Sequence, residues 1–171
     1  RFAGLKPVEA TIEVETECAK PISKHLIGIF FEDINYAADG GLYAELVQNR
    51  DFEYSSKDGS HQGWDGTYAW AVKEGNTSAA DPIHPNNPHY AVLEARPGVT
   101  LQNDGFDGIS LKKGEKYDFS LFARVAPGSK GGKVVVCLLD QTGREIARSS
   151  VNVSSKEWKK QQTVLTANAD A

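Results

Sequence analysis

The chain has 171 residues, enough for one ordinary globular domain or for one domain joined to part of another. Hydrophobic residues make up 40 % of it and the formal net charge is −4, so it has no surplus of cations to attract nucleic acid or an anionic membrane. No apolar run approaches the roughly 18 residues of a membrane span. These properties exclude both partner classes and leave a domain that can build its own core.

The first 54 residues combine two kinds of pattern. Alternation over residues 11–15 predicts a half-buried strand, and the continuous apolar run at 26–31 predicts a strand buried on both faces of a parallel sheet. After a loop closed by Gly40 and Gly41, apolar residues four apart over 42–48 predict a helix. Strand, loop and helix make half of a βαβ unit, which cannot complete a parallel sheet alone.

Residues 55–87 are rich in Gly, Ser, Asp and Asn, with Trp64, Tyr68 and Trp70 among them. Three prolines within 81–88 exclude a helix there. We expect a surface connection or an irregular sandwich edge.

From His89 onward the chain is all-β in character. Alternation at 116–124 places Tyr117, Phe119, Leu121 and Ala123 on one face of a strand. Further strands are predicted at 133–139, 145–153 and 159–166, with turns at 127–132 and 140–143. The predicted fold is therefore mainly β: an antiparallel β-sandwich of jelly-roll type, preceded by a strand–helix fragment.

Two stretches carry a family resemblance. Residues 28–35 (GIFFEDIN) and 39–53 (DGGLYAELVQNRDFE) resemble strand one and helix one of the (β/α)8 barrel in family 51-type α-L-arabinofuranosidases, which read G-x-F-x-E and G-G-L-Y-A-E-L-x-x-N-R-x-F-E. Residues 64–166 resemble the sandwich module grouped with carbohydrate-binding families 4 and 9, through 114–120 (GEKYDFS) and 156–160 (KEWKK). Some arabinofuranosidases carry such a module directly after barrel helix one, which is the order found here.

The resemblance implies a domain organisation and an activity for the parent protein. Residues 1–54 would be an incomplete catalytic barrel, and residues 55–171 a carbohydrate-binding-module-like sandwich. The parent would remove terminal α-L-arabinofuranosyl groups from arabinan or arabinoxylan with retention and without a cofactor. It would be secreted, periplasmic or on the cell surface of a bacterium. In the family both catalytic Glu residues lie on later barrel strands, so this chain is predicted to be inactive by itself.

Three residues are candidates for sugar contact. Glu32 follows a predicted barrel strand, at the end where such barrels do chemistry, and the resemblance implies that it hydrogen-bonds arabinofuranose in the intact barrel. The alternative is that Glu32 only ends a strand beside a basic residue. Trp64 and Trp70 could stack on a sugar ring or pack the domain, with packing slightly favoured. Trp158, just before a strand, is expected in the sandwich core.

No metal site is predicted. The four histidines lack metal-ligand spacing, and Cys18 and Cys137 are expected to be free thiols, with Cys137 a small core residue. Residues 103–108 faintly resemble a calcium loop, but the twelfth position is Gly114 where an EF-hand needs an acid, so a plain turn is predicted. A structural calcium ion, common in related sugar-binding sandwiches, stays open.

Three functions remain. The chain could be a non-catalytic portion of an arabinofuranosidase that binds glycan or braces the missing barrel. It could be an independent glycan-binding module, which predicts at least two exposed aromatics lining a groove or a sandwich edge. It could be a purely structural or interaction domain, which predicts that those aromatics are buried. A lectin or adhesin sandwich would leave the match at 28–53 unexplained. The unpaired barrel strand also predicts some self-association.

Overall fold

The computed structural model describes residues 4, 9–32, 36–57, 63–73, 75–94 and 96–171. The chain divides into two compact units, Arg1–Glu32 and Asp33–Ala171. The described residues form eight strands and one 3-10 turn, and they include no helix long and apolar enough to cross a membrane.

All eight strands belong to the second unit and pair antiparallel in two-stranded sheets. They are β1 Trp70–Lys73, β2 Gly75–Ser78, β3 Tyr90–Leu93, β4 Thr100–Asn103, β5 Lys116–Ala123, β6 Gly132–Leu139, β7 Glu145–Val153 and β8 Lys159–Thr166. The pairs are β1 with β4, β2 with β3, β5 with β8, and β6 with β7. This confirms the prediction of a mainly β, antiparallel sandwich-type fold, and the four longest strands lie where strands were predicted from the sequence.

The core lies between the inner faces of the long strands. Along β5, half-buried and exposed positions alternate without a break, because successive side chains of a strand point to opposite faces. Ile146 on β7 is 0 % exposed and packs with Leu111 and Ala167, while Val125, Val151 and Val153 form a second cluster. Leu165 on β8 is 2 % exposed. Their burial supplies the hydrophobic stabilisation of the sandwich.

The turn between β6 and β7 is held by Asp140. Its carboxylate accepts hydrogen bonds from the Thr142 amide (2.9 Å), the Thr142 hydroxyl (2.6 Å) and the Arg144 amide (3.0 Å). The Arg144 guanidinium adds an ion pair at 3.0 Å. The hydrogen bond from the Thr142 side chain is the first cause that lowers the pKa of Asp140, to about 2.

The first unit does not contain the predicted strands. Its described residues form one 3-10 turn, Thr16–Cys18, and no strand at 11–15 or 26–31, where Ile29 and Phe30 are 92 % and 90 % exposed. A strand buried on both faces needs neighbouring strands for its backbone hydrogen bonds and covering layers for its side chains. The described residues provide neither, so the prediction that residues 26–31 form a strand is wrong for this chain.

The predicted helix at 42–48 is also absent. Residues 36–43 form turns with a bridge between Asp39 and Tyr43, and Leu42 is 82 % exposed. A seven-residue segment is below the roughly 12–15 residues at which an isolated helix becomes even marginal. The glycines suit the turns instead, because a Cβ at Gly41 would lie 2.3 Å from the Ala37 carbonyl oxygen.

Candidate functional site

Asn49 joins two irregular segments beside β1 and β4. It is 1 % exposed and has a φ of 51°, in the left-handed region that Asn tolerates. Its Nδ2 donates to the carbonyl oxygens of Gly66 (3.1 Å) and Tyr68 (3.0 Å), with a longer contact to that of Asp65. Its Oδ1 accepts from the Tyr54 amide at 3.1 Å. One buried amide thus satisfies backbone groups of residues 54, 65, 66 and 68.

The preceding residue fixes the same segment to a strand. The Gln48 amide donates to Oδ1 of Asn103 (3.1 Å), and Nδ2 of Asn103 donates back to the Gln48 carbonyl (2.9 Å). Asn103 is the last residue of β4. Residues 48 and 49 therefore hold the end of the family-51-like motif against the sandwich.

Trp70 packs into this arrangement. Its ring stacks on Phe52 with centroids 5.0 Å apart and an interplanar angle of 22°. Its indole N–H donates to the Asn49 carbonyl oxygen at 2.7 Å. The polar atom of the indole is used inside the protein, so the contacts of Trp70 are those of a packing residue.

Trp64 belongs to a different arrangement, which we call the aromatic group: Tyr54, Trp64 and Tyr68. Trp64 stacks on Tyr54 with centroids 4.2 Å apart at 22°, and lies 5.5 Å from Tyr68 at 42°. All three are half-buried. Burial raises the pKa of the Tyr54 hydroxyl, against the opposing effect of a hydrogen bond with Gln48. Aromatic rings with hydroxyls beside them are groups that can contact the C–H face and the hydroxyls of a sugar ring.

A polar trio, formed by Glu53, Asn87 and His89, joins the segment before Tyr54 to the loop before β3. Oε1 of Glu53 accepts from the His89 amide (2.8 Å) and from Nδ2 of Asn87 (3.1 Å), and Oε2 lies 2.7 Å from Nδ1 of His89. Burial raises the pKa of Glu53, but the hydrogen bonds from His89 and Asn87 outweigh it and hold that pKa below its usual value. Glu53 therefore acts as an anionic anchor for the segment that leads into β3.

Trp158 lies outside both core clusters, in contrast to its predicted core position. Its indole N–H donates to the Asp81 carbonyl oxygen (3.2 Å), and its ring meets Tyr90 edge-on at 4.9 Å. The Arg124 guanidinium lies 5.0 Å from the Trp158 ring centre and also pairs with Asp81. These contacts fasten the proline-rich loop to the end of the sandwich, because a cation over an aromatic face is attracted to it.

Glu32, the two cysteines and the segment 103–108 were the other candidates from the sequence. Glu32 is exposed at the end of the first unit, and its sugar contact in an intact barrel stays a prediction. Cys18 and Cys137 are free thiols, as expected. Cys137 is half-buried, with its Sγ 3.2 Å from Glu145. Within the described ranges no three His, Cys, Asp or Glu side chains gather as a metal site, and calcium at 103–108 stays untested.

Sequence reasoning missed Asn49, Asn103 and Arg124. Asn49 has a local signal, since Asn is enriched at positive φ. The other two have none, because their partners lie 55 and 43 residues away along the chain.

The chain is similar to a family of carbohydrate-binding domains and to part of several α-L-arabinofuranosidases. A family model described as a carbohydrate binding domain matches residues 44–171. The extracellular exo-α-L-arabinofuranosidase of Streptomyces chartreusis is 37 % identical over 147 residues, covering 85 % of this chain and 17 % of that protein. α-L-Arabinofuranosidase 1 of Arabidopsis thaliana is 29 % identical over 180 residues, covering 95 % of this chain and 25 % of that protein.

A solved structure of an α-L-arabinofuranosidase is also similar to this chain. The arabinose-bound MgGH51 α-L-arabinofuranosidase superimposes with a TM-score of 0.68 at 29 % identity, covering 82 % of this chain and 24 % of that one. The chain thus spans a quarter or less of the length of these relatives.

Proposed function

The chain belongs to the carbohydrate-binding domain family, and on that premise we propose that it is the non-catalytic N-terminal portion of an α-L-arabinofuranosidase, contacting the glycan that the enzyme degrades. The aromatic group carries the proposal. Tyr54, Trp64 and Tyr68 bring three half-buried rings together on an irregular edge, where binding residues are commonly found.

The relatives support the choice of glycan. Curated proteins similar over most of this chain are named as α-L-arabinofuranosidases, and the solved relative holds arabinose. We therefore infer that the ligand is an arabinose-containing plant cell-wall glycan, such as arabinan or arabinoxylan. The relative from Streptomyces chartreusis is named as extracellular, which supports a secreted protein.

In this proposal the rest of the enzyme performs catalysis and this chain does not. A retaining glycosidase needs two carboxyl groups about 5–5.5 Å apart. The family resemblance assigns both to later barrel strands, and Glu32 to a binding role within that barrel. The 171-residue chain should therefore release no arabinose.

A second candidate function is bracing of the barrel. It is favoured by Trp70, whose indole N–H and ring face are both used inside the protein, and by Asn49, which ties the family-51-like motif to the sandwich. Bracing and sugar contact use different residues, so one domain can do both.

Two assays test the proposal. The chain is incubated with an aryl α-L-arabinofuranoside beside a longer protein that contains it and a complete barrel. We expect arabinose release by the longer protein alone. The chain is then titrated with arabino-oligosaccharides, where saturable binding weakened by Trp64→Ala supports sugar contact. Saturable binding unchanged in Trp64→Ala would contradict the assignment of that residue.

A further inference from the structure

We propose that residues 24–32 form an interface with a second copy of this chain, in which the two identical segments pair as antiparallel strands. We call residues 26–31 the apolar segment. Within the described ranges it belongs to no strand, so its backbone N–H and C=O groups can join a ladder with another chain. All of its side chains are half or more exposed: Leu26, Ile27, Ile29, Phe30 and Phe31.

The composition of the apolar segment favours pairing between chains. Ile and Phe are enriched in strands, and the six residues include neither a charge nor a proline. Short segments of this composition are those that pair with copies of themselves when they are exposed. A second copy supplies both the backbone partners and the apolar cover that the described part of one chain does not.

Two charges determine the register. Lys24 and Glu32 flank the apolar segment, each four residues from Gly28, and both are exposed. If two copies run antiparallel with Gly28 opposite Gly28, Lys24 of each copy lies opposite Glu32 of the other. Parallel pairing in register would instead place like charges opposite each other. Because opposite charges across a strand pair stabilise it and like charges destabilise it, the antiparallel arrangement is favoured.

The same register matches the apolar side chains. Leu26 lies opposite Phe30 on one face, and Ile27 lies opposite Ile29 on the other. Pairs of aromatic and branched side chains stabilise neighbouring strands. Gly28 lies on the two-fold axis, where a Cβ would meet no atom of its own chain within 4 Å. Each contact therefore occurs twice, as in the isologous interface of a symmetric dimer.

The dimer should be weak and reversible, because a pair of strands without further cover is only marginally stable in water. The two Lys24–Glu32 pairs would lie about 27 Å apart, since eight residues of strand advance about 3.4 Å each. That distance exceeds the Debye length of about 10 Å at 0.1 M salt, so each pair acts independently. Reversing one charge makes both pairs unfavourable.

The test is sedimentation of the natural 171-residue chain and its charge variants over a wide range of concentrations. Lys24→Glu and Glu32→Lys each place like charges at both ends of the interface. Lys24→Glu/Glu32→Lys restores opposite charges in exchanged positions. Lys20→Glu, at another exposed lysine of the first unit, is the control with the same change in net charge as Lys24→Glu. Thermal unfolding checks that every variant keeps the folded sandwich.

We expect the natural chain to dimerise, each single reversal to raise the Kd of the dimer by about tenfold, and the double variant to restore it. Lys20→Glu should dimerise as the natural chain does. Ile29→Pro should abolish dimerisation, because proline cannot donate to the ladder.

A natural chain that stays monomeric at every concentration would overturn the proposal. Association that ignores the single reversals, or that the double variant fails to restore, would overturn the antiparallel register. Loss of association in Ile29→Pro without any effect of charge would mean that the apolar segment binds another surface of the second copy, which would also contradict the proposal.

Discussion

The indole N–H of Trp70 donates a hydrogen bond to the backbone carbonyl of Asn49 at 2.7 Å, while the Asn49 side chain donates to carbonyls of the segment that precedes Trp70. The two residues thus close a ring of contacts between the motif segment and β1. The amide is 1 % exposed, so water cannot replace the bonds that it makes. This pair holds the irregular edge on which the aromatic group lies.

Replacing Asn49 should release that edge. Asn49→Ala removes hydrogen bonds to the Gly66 and Tyr68 carbonyls and to the Tyr54 amide. Because unsatisfied buried groups cost about 1–3 kcal/mol each, we expect the free energy of unfolding to fall by about 3 kcal/mol. Urea unfolding measures this, with exposed Asn152→Ala as a control expected to stay within about 0.5 kcal/mol. Equal midpoints for the two variants would contradict the assignment.

The two tryptophans should separate stability from binding. Trp70→Phe keeps a ring against Phe52 but loses the indole N–H, and should cost about 1 kcal/mol of stability with sugar affinity retained. Trp64→Ala should lower the affinity for arabino-oligosaccharides by roughly tenfold or more, as loss of a central aromatic contact does. Thermal unfolding and calorimetry on both variants check this. Loss of sugar affinity in Trp70→Phe, with loss of stability alone in Trp64→Ala, would mean that Trp70 contacts sugar and that Trp64 packs the domain.

Adjacent residues of β8 should differ sharply in their contribution to the core. Leu165 is 2 % exposed and Val164 is 48 % exposed. Leu165→Ala should lower the free energy of unfolding by about 2–5 kcal/mol, because it removes transfer energy and leaves a cavity. Val164→Ala should change it by no more than about 0.5 kcal/mol. Chemical denaturation of both proteins gives the comparison, and a similar loss in each would argue against the inward orientation of Leu165.

The turn at Asp140 should make stability depend on pH in acid. Its pKa of about 2 lies below the usual value of 3.8, so the ionised group stabilises the fold above about pH 4. That stabilisation is lost as pH falls from about 4 towards 2, where the group is protonated in the folded state too. Thermal unfolding between about pH 2 and 5 should show a smaller decline for Asp140→Asn than for the natural chain. Parallel curves would mean that Asp140 does not carry this dependence.

Local patterns sufficed for the strands that pair within the sandwich. β7 and β8 have the bounds that the spacing of strands and turns predicted, because their own inner faces supply the core that each strand needs. The apolar segments at 26–31 and 42–48 can form a barrel strand and a helix only where further barrel elements cover them. Without those elements among the described residues, the same apolar side chains lie exposed.

The sequence predicted some of the residues of the candidate site but not how they are arranged. The sequence identified Trp64 and Trp70 as candidates, but their different surroundings depend on Asn49, which binds residues 16 to 19 positions further along. Arg124 reaches the proline-rich loop 43 residues earlier in the chain. Such contacts follow from the packing of the whole sandwich and leave no periodic trace in the sequence.

The most direct test of the central claim is titration calorimetry of the natural 171-residue chain with an arabino-oligosaccharide, followed by assay of the same sample for released arabinose. The account predicts saturable heat of binding and an intact ligand at the end. Release of arabinose would contradict the non-catalytic role, and absence of binding heat would contradict glycan contact and leave the domain as a brace for the barrel.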